Sequence, residues 1–145
     1  MVKPSVSVFF PCYNDEKTIG PLVRGAKKVL EKAAAKYEII VIDDGSTDNS
    51  RGELSKLSKE IQNLRLIFHR QNKGYGGALK SGFKAAKCDL VFYTDGDGQY
   101  DVGELELLLP LMTDDIDVVN GIKMFRNDPW YRVVIGNIYK FFLRN

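Results

Sequence analysis

Apolar runs of strand length, hydrophobic at consecutive positions and separated by helical patterns, constrain this chain more than any other feature. The runs are Ser5–Cys12, Tyr37–Asp43, Asn63–His69, Leu90–Thr94 and Val118–Gly121. Between the first two, Thr18–Ala35 places Ile19, Leu22, Val23, Ala26, Val29, Leu30 and Ala33 at helical spacing. Ser50–Ile61, Gly77–Ala86 and Val102–Met112 are also expected to be helical. Strands apolar on both faces and separated by helices predict a mainly parallel, Rossmann-like α/β sheet covered on both sides. At 145 residues the chain suits one domain with a real core. No linker, repeat or low-complexity segment divides it.

In such sheets ligands bind beyond the carboxyl ends of the strands, where strand order reverses. The first strand is followed by Pro11-Cys12-Tyr13-Asn14-Asp15-Glu16, and the second ends in Asp43-Asp44-Gly45-Ser46. The third is followed by Arg70 to Gly77, a glycine-rich stretch, and the fourth by Asp95-Gly96-Asp97-Gly98-Gln99. Acidic and polar groups thus accumulate on one edge of the sheet. A nucleotide diphosphate could not sit unassisted among Asp43, Asp44, Asp95 and Asp97. A divalent cation resolves that conflict, because Mg²⁺ usually takes one or two carboxylates plus substrate phosphate oxygens. The pair Asp95 and Asp97, one residue apart on extended backbone, suits such an ion.

Competing readings of the Asp95–Gln99 stretch are a solvated Asp/Gly turn, a calcium loop and an aspartyl nucleophile. The calcium loop fails because Tyr100 stands where that loop needs glycine and a strand stands where it needs a helix. A dinucleotide fold proper is disfavoured, since Pro-Cys-Tyr-Asn follows the first strand instead of a glycine fingerprint. A nucleotidyltransferase would carry a glycine- and arginine-rich loop there. The Gly74–Gly77 loop reads either as a phosphate cradle at a helix N-terminus or as a tight turn, with Lys73 a candidate contact. His69, the sole histidine, reads as a polar strand terminus without a catalytic role.

The net charge of +2 is too small to argue for nucleic acid. Basic residues nevertheless dominate the end of the chain: Lys123, Arg126, Arg132, Lys140 and Arg144 face only Asp128. That distribution suggests an anionic partner or a membrane surface. The segment 130–144 is aromatic and basic, the composition of an amphipathic helix at a membrane interface; packing against further protein is the plainer alternative. Cys12 and Cys88 have no metal-ligand spacing and suit small buried side chains in a reducing cytosol. Neither a signal peptide nor a run of membrane-spanning length is visible. A location in the cytoplasm, at the cytoplasmic face of a membrane, is expected.

The four segments, in their order along the chain, resemble the signature of family 2 glycosyltransferases with the GT-A fold, from about Ser5 to Gly121. The later Gly121-Ile122-Lys123 and Arg126 to Arg132 resemble the dolichyl- or polyprenyl-phosphate sugar transferase branch. That resemblance implies a GT-A, nucleotide-diphospho-sugar transferase-like fold. Residues 1–122 would form the nucleotide-sugar-binding part and 123–145 a basic aromatic acceptor or membrane-interface segment of the same domain.

It also implies roles. Pro11, Tyr13 and Asp15 would border base and ribose, and Asp43 and Asp44 would hold base or ribose. Asp95 and Asp97 would be the metal-binding pair for Mg²⁺ or Mn²⁺, with Gly96 beside the nucleotide and Gln99 near sugar or diphosphate. Lys123, where relatives often carry Arg, would contact phosphate as a point charge, and Arg126 and Arg132 would face the acceptor phosphate. The implied reaction is inverting transfer of a sugar from a UDP- or GDP-sugar to a polyprenyl phosphate. Relatives continue further, so a truncated or non-catalytic nucleotide-sugar-binding module is the alternative expectation.

Overall fold

The computed structural model describes residues 3–121. Expectations that fall on Lys123, Arg126, Arg132 and the 130–144 segment lie outside those residues. The elements run β1 (Ser5–Cys12), α1 (Ile19–Ala33), β2 (Lys36–Asp43), α2 (Ser50–Glu60), β3 (Leu64–Phe68), α3 (Gly74–Ala85), β4 (Leu90–Tyr93) and a short α4 (Leu105–Leu108). The four strands form one parallel sheet in the order β3-β2-β1-β4. This is the mixed α/β architecture that the alternating runs predict.

Side-chain alternation sorts the central strand between two layers. Val6, Val8, Phe10 and Cys12 of β1 pack with Ile19, Val23, Ala26 and Leu30 of α1 and with Leu54 and Leu57 of α2. On the opposite face Phe9 joins Ile40, Ile42 and Ala78 of α3. The topology explains the division. Two successive right-handed crossovers carry the chain from β1 to β3 and leave α1 and α2 on one face. The connection from β3 back past β1 to β4 then delivers α3 to the other. Helix α3 lies so close to β1 that a Cβ on Gly82 would come within 2.3 Å of the Phe9 ring. Phe9 also stacks on Tyr93 and meets Phe83 edge-on, tying the edge strand to α3.

The structure corrects three sequence expectations. Residues 118–121 form no strand: they have no ladder partner among the described residues, and Val118 is 79% exposed. The expected helix over Val102–Met112 is instead a 3₁₀ turn at Val102–Glu104, the single α-turn of α4, and a second 3₁₀ turn at Leu109–Leu111. Pro110 lacks an N–H, and its ring crowds the preceding turn, so α4 cannot extend through it. Helix α3 begins at Gly74 rather than Gly77. The Asn72 side chain accepts the Gly74 N–H at 2.8 Å, and Gly74 takes a φ of +76° that suits glycine.

Candidate nucleotide and metal site

Strand order reverses between β1 and β4, because the chain leaves β1 in one direction and reaches β4 from the other. The loops after these strands diverge and open a crevice at that point. Tyr13 to Thr18 supply one wall and Asp95 to Gln99 the other. Asp15 and Asp97 both line a cleft there with Thr18 and Asp48.

The β1 loop is held by the loop that follows β2. Asn14 has a φ of +59°, a conformation asparagine tolerates better than most residues. Its Oδ1 accepts the backbone N–H groups of Thr47 at 2.8 Å and Asp48 at 3.3 Å, while its own N–H donates to Ser46 Oγ. The Asp15 N–H donates to Ser50 Oγ at 3.0 Å, the Glu16 N–H donates to Asp48 Oδ2, and the Asn49 N–H donates to the Glu16 carboxylate. Asp15 is thereby fixed on a braced turn, with its carboxylate accepting the Tyr13 N–H at 2.9 Å. Partial burial raises the Asp15 pKa; that backbone bond opposes the rise, and the charges of Asp97, Asp48 and Asp95 add to it. Negative potential therefore accumulates in the crevice.

On the other wall, Gly96 is buried against β1. A Cβ at this position would lie 2.5 Å from the Pro11 carbonyl oxygen and 3.1 Å from Asp15 Oδ2. The Thr18 hydroxyl donates to the Gly96 carbonyl at 2.9 Å. Asp97 is exposed, and its Oδ1 accepts the Gln99 N–H at 2.9 Å. Asp95 is different. Its carboxylate bonds to the Tyr75 hydroxyl, yet its Oδ1 is buried without any hydrogen-bond partner. Burial raises the Tyr75 pKa, and the bond to Asp95 and that residue's charge add to the rise, so the phenol stays protonated.

The β2 and β3 ends are built differently, and here the carboxylates are engaged within the protein. Asp43 is fully buried; Arg51 Nε donates to its Oδ2 at 2.6 Å and the Ser46 N–H to its Oδ1 at 3.3 Å. Asp44 is also buried, and its Oδ1 accepts the Lys73 N–H at 2.9 Å and sits 2.6 Å from His69 Nδ1. Burial alone would raise the Asp44 pKa, but the bonds from His69 and the Lys73 backbone outweigh it and leave it lowered. His69 stands at the end of β3 as a polar strand terminus, and it is buried there as an interior partner of Asp44. Lys73 meets this network through its backbone. Cys12 is also buried, and desolvation followed by the Asp15 charge pushes its thiol up to about 12, which excludes a thiolate nucleophile.

The structure thus brings Pro11, Tyr13, Asp15, Asp95, Gly96, Asp97 and Gln99 to the β1/β4 crevice and sets Asp43, Asp44 and Lys73 beside it on a second, internally bonded edge. Sequence reasoning assigned no role to Asn14, Arg51 or Tyr75. The left-handed turn at Asn14 was the one legible signal; a Tyr in a glycine-rich loop carries none.

Comparison with known proteins decides the family. The family described as Glycosyl transferase family 2 matches residues 7–144. The chain belongs to that family. Among solved structures, the fold resembles a mannosyltransferase from Pyrobaculum calidifontis in complex with GDP-Man and Mn²⁺, with a TM-score of 0.62, 22% identity, and coverage of 74% of this chain and 33% of that one. Glucosyl-3-phosphoglycerate synthase from Mycobacterium tuberculosis, in complex with Mn²⁺, UDP and phosphoglyceric acid, is 26% identical, with a TM-score of 0.60 and coverage of 77% and 40%. S. aureus TarS in complex with UDP is 29% identical over 64% of this chain and 27% of its own, with a TM-score of 0.56. The family 2 chain therefore spans well under half the length of these structures.

A divalent ion fits the crevice on the protein's own terms. Asp95 Oδ1 is buried and unpaired, which is costly unless a cation or donor completes it. Among the described residues no three His, Cys, Asp or Glu side chains gather closely enough to enclose an ion. Such a site would take one or two carboxylates here and its remaining oxygens from water and a bound diphosphate.

Proposed function

We propose that this chain binds a UDP- or GDP-sugar with Mg²⁺ or Mn²⁺ in the β1/β4 crevice and transfers the sugar, with inversion, to a polyprenyl phosphate. The observation that carries the nucleotide and metal reading is the buried, unpartnered Asp95 Oδ1 at the sheet's switch point. Complexes of similar folds with GDP-Man and Mn²⁺, and with UDP and Mn²⁺, support it.

In this reading Asp95 and Asp97 hold the ion, which when bound neutralises the diphosphate and the charge developing on the leaving group. Pro11, Tyr13 and Asp15 border base and ribose on the braced β1 loop. Asp43 and Asp44 shape the neighbouring edge; their carboxylates, held by Arg51 and His69, reach a base or ribose only through oxygen lone pairs left over from those bonds. Gln99 lies near sugar or diphosphate. Rigid placement of these groups before the donor arrives lowers the cost of binding it.

The acceptor reading rests on sequence. Lys123, Arg126 and Arg132 would meet an acceptor phosphate, and a phosphate nucleophile is already anionic, so it needs no general base. The aromatic and basic 130–144 segment would lie at a membrane interface on the cytoplasmic face, where a lipid phosphate is presented. The test is incubation with radiolabelled UDP- and GDP-sugars, Mn²⁺ and short-chain polyprenyl phosphate. Label moving into the lipid fraction supports the proposal. Nucleotide binding without transfer would leave the narrower function of a nucleotide-sugar-binding module, and absence of both would overturn it.

A further inference from the structure

His69 lies between an acceptor on each side. Its Nδ1 is 2.6 Å from Asp44 Oδ1 and its Nε2 is 2.9 Å from Ser81 Oγ. The Ser81 hydroxyl in turn donates to the Gly77 carbonyl at 3.1 Å, one turn back along α3. A hydroxyl has a single proton. With that proton on Gly77, Ser81 can only accept from Nε2, which must then carry a hydrogen. An ionised Asp44 can only accept from Nδ1, which must carry one too. Both ring nitrogens are donors only in the imidazolium.

Charge balance points the same way. Two adjacent carboxylates, Asp43 and Asp44, are buried at the end of β2. Arg51 of α2 compensates the first through Nε, and its second nitrogen donates to the His69 carbonyl at 2.8 Å. Among the described residues, no group besides His69 that bonds to the Asp44 carboxylate can carry positive charge. From β2, the His69 ring meets the Asp44 carboxylate and its N–H meets the Asp43 carbonyl; from α3 it meets Ser81, and Lys73 reaches the cluster through its backbone N–H. A buried carboxylate without a counter-charge is strongly unfavourable, whereas a well-bonded ion pair is tolerated.

We infer that His69 is a protonated positioning residue, an imidazolium that locks the Asp44 carboxylate and, through it, the Lys73–Gly77 turn opening α3 beside the nucleotide site. This rests on the proposed nucleotide reading only for its consequence, not for the charge state itself. Loss of the proton would turn the Ser81 hydroxyl toward Nε2 and release the Gly77 carbonyl. Donor affinity would then fall once that proton is lost.

His69 is the sole histidine, so histidine-selective ¹⁵N labelling reports on it alone. The expected spectrum at pH 7 shows a proton on both ring nitrogens. Asp44→Asn should strip one of those protons at the same pH, and Ser81→Ala, which leaves the ion pair in place, should keep both. His69→Gln should weaken UDP or GDP binding about tenfold and abolish its pH dependence above neutrality. An unprotonated ring nitrogen in the wild type at pH 7, or a doubly protonated ring that persists in Asp44→Asn, overturns the inference. If the wild type binds neither nucleotide, the functional reading fails while the imidazole spectrum still decides this one.

Discussion

The Thr18 hydroxyl donates to the Gly96 carbonyl at 2.9 Å, so the residue that opens α1 also fixes the peptide between Asp95 and Asp97. Thr18→Val keeps the shape and removes the donor. It should destabilise the protein by about 1 kcal/mol and weaken metal-dependent nucleotide binding, because the Asp95–Asp97 segment loses its tether. Thr18→Ser should restore both. Chemical denaturation and nucleotide titration of the two variants check this; equal binding by wild type and Thr18→Val would show that the tether is dispensable.

Gly96→Ala tests the same wall sterically. Its Cβ would press on the Pro11 carbonyl oxygen at 2.5 Å, and backbone cannot yield as a flexible side chain does. A cost of about 1–3 kcal/mol is expected, with the crevice widened and nucleotide affinity lowered together. Thermal melting of the variant gives the first number and a nucleotide titration the second.

Asp15→Asn separates stability from binding. The folded state holds the Asp15 proton more tightly than the unfolded chain does, since burial and the charges of Asp97, Asp48 and Asp95 raise its pKa. Stability therefore falls as pH rises from the unfolded value through the folded one, and the deficit persists at neutral pH. Removing the charge, while keeping an oxygen for the Tyr13 N–H, should raise the melting temperature at pH 7 and reduce nucleotide affinity. A lower melting temperature would contradict this. Asp44 has the opposite sign: its pKa is lowered, so its contribution is complete above the unfolded value and is lost as pH falls through the folded one. Acid unfolding below about pH 4 should be less steep in Asp44→Asn.

Arg51→Met leaves Asp43 buried without its partner. A loss of about 3 kcal/mol is expected, near the low end for a broken buried pair because Arg51 is itself half exposed. The double variant Asp43→Asn with Arg51→Met should recover much of it, and a full thermodynamic cycle by denaturant melts measures the coupling.

How much of this was legible in the sequence depends on what each signal encodes. β1 and β2 are buried on both faces, and their continuous apolar runs give them away to within a residue. Val118–Gly121 carries the same composition but forms no strand, because hydrophobicity does not reveal whether a partner edge is available. Pro110 marked the end of α4 in plain view, and the apolar period over 102–112 outweighed it. The carboxylates at the strand ends were visible as a set. Their division was not: Asp43 and Asp44 are held by Arg51 and His69, residues 8 and 25 positions away in the chain, whereas Asp95 keeps an unpaired oxygen. Only the packing of α2 and α3 on opposite faces creates that difference.

The central claim is that Asp95 and Asp97 hold a metal–diphosphate at the β1/β4 crevice, and thermal melting with UDP and GDP, each with and without Mn²⁺, tests it most directly. One nucleotide should raise the melting temperature of the wild type only when the metal is present, and Asp97→Ala, a change at an exposed side chain, should abolish that rise while melting like the wild type without ligand. No metal-dependent rise with either nucleotide, or an equal rise in Asp97→Ala, would contradict the account.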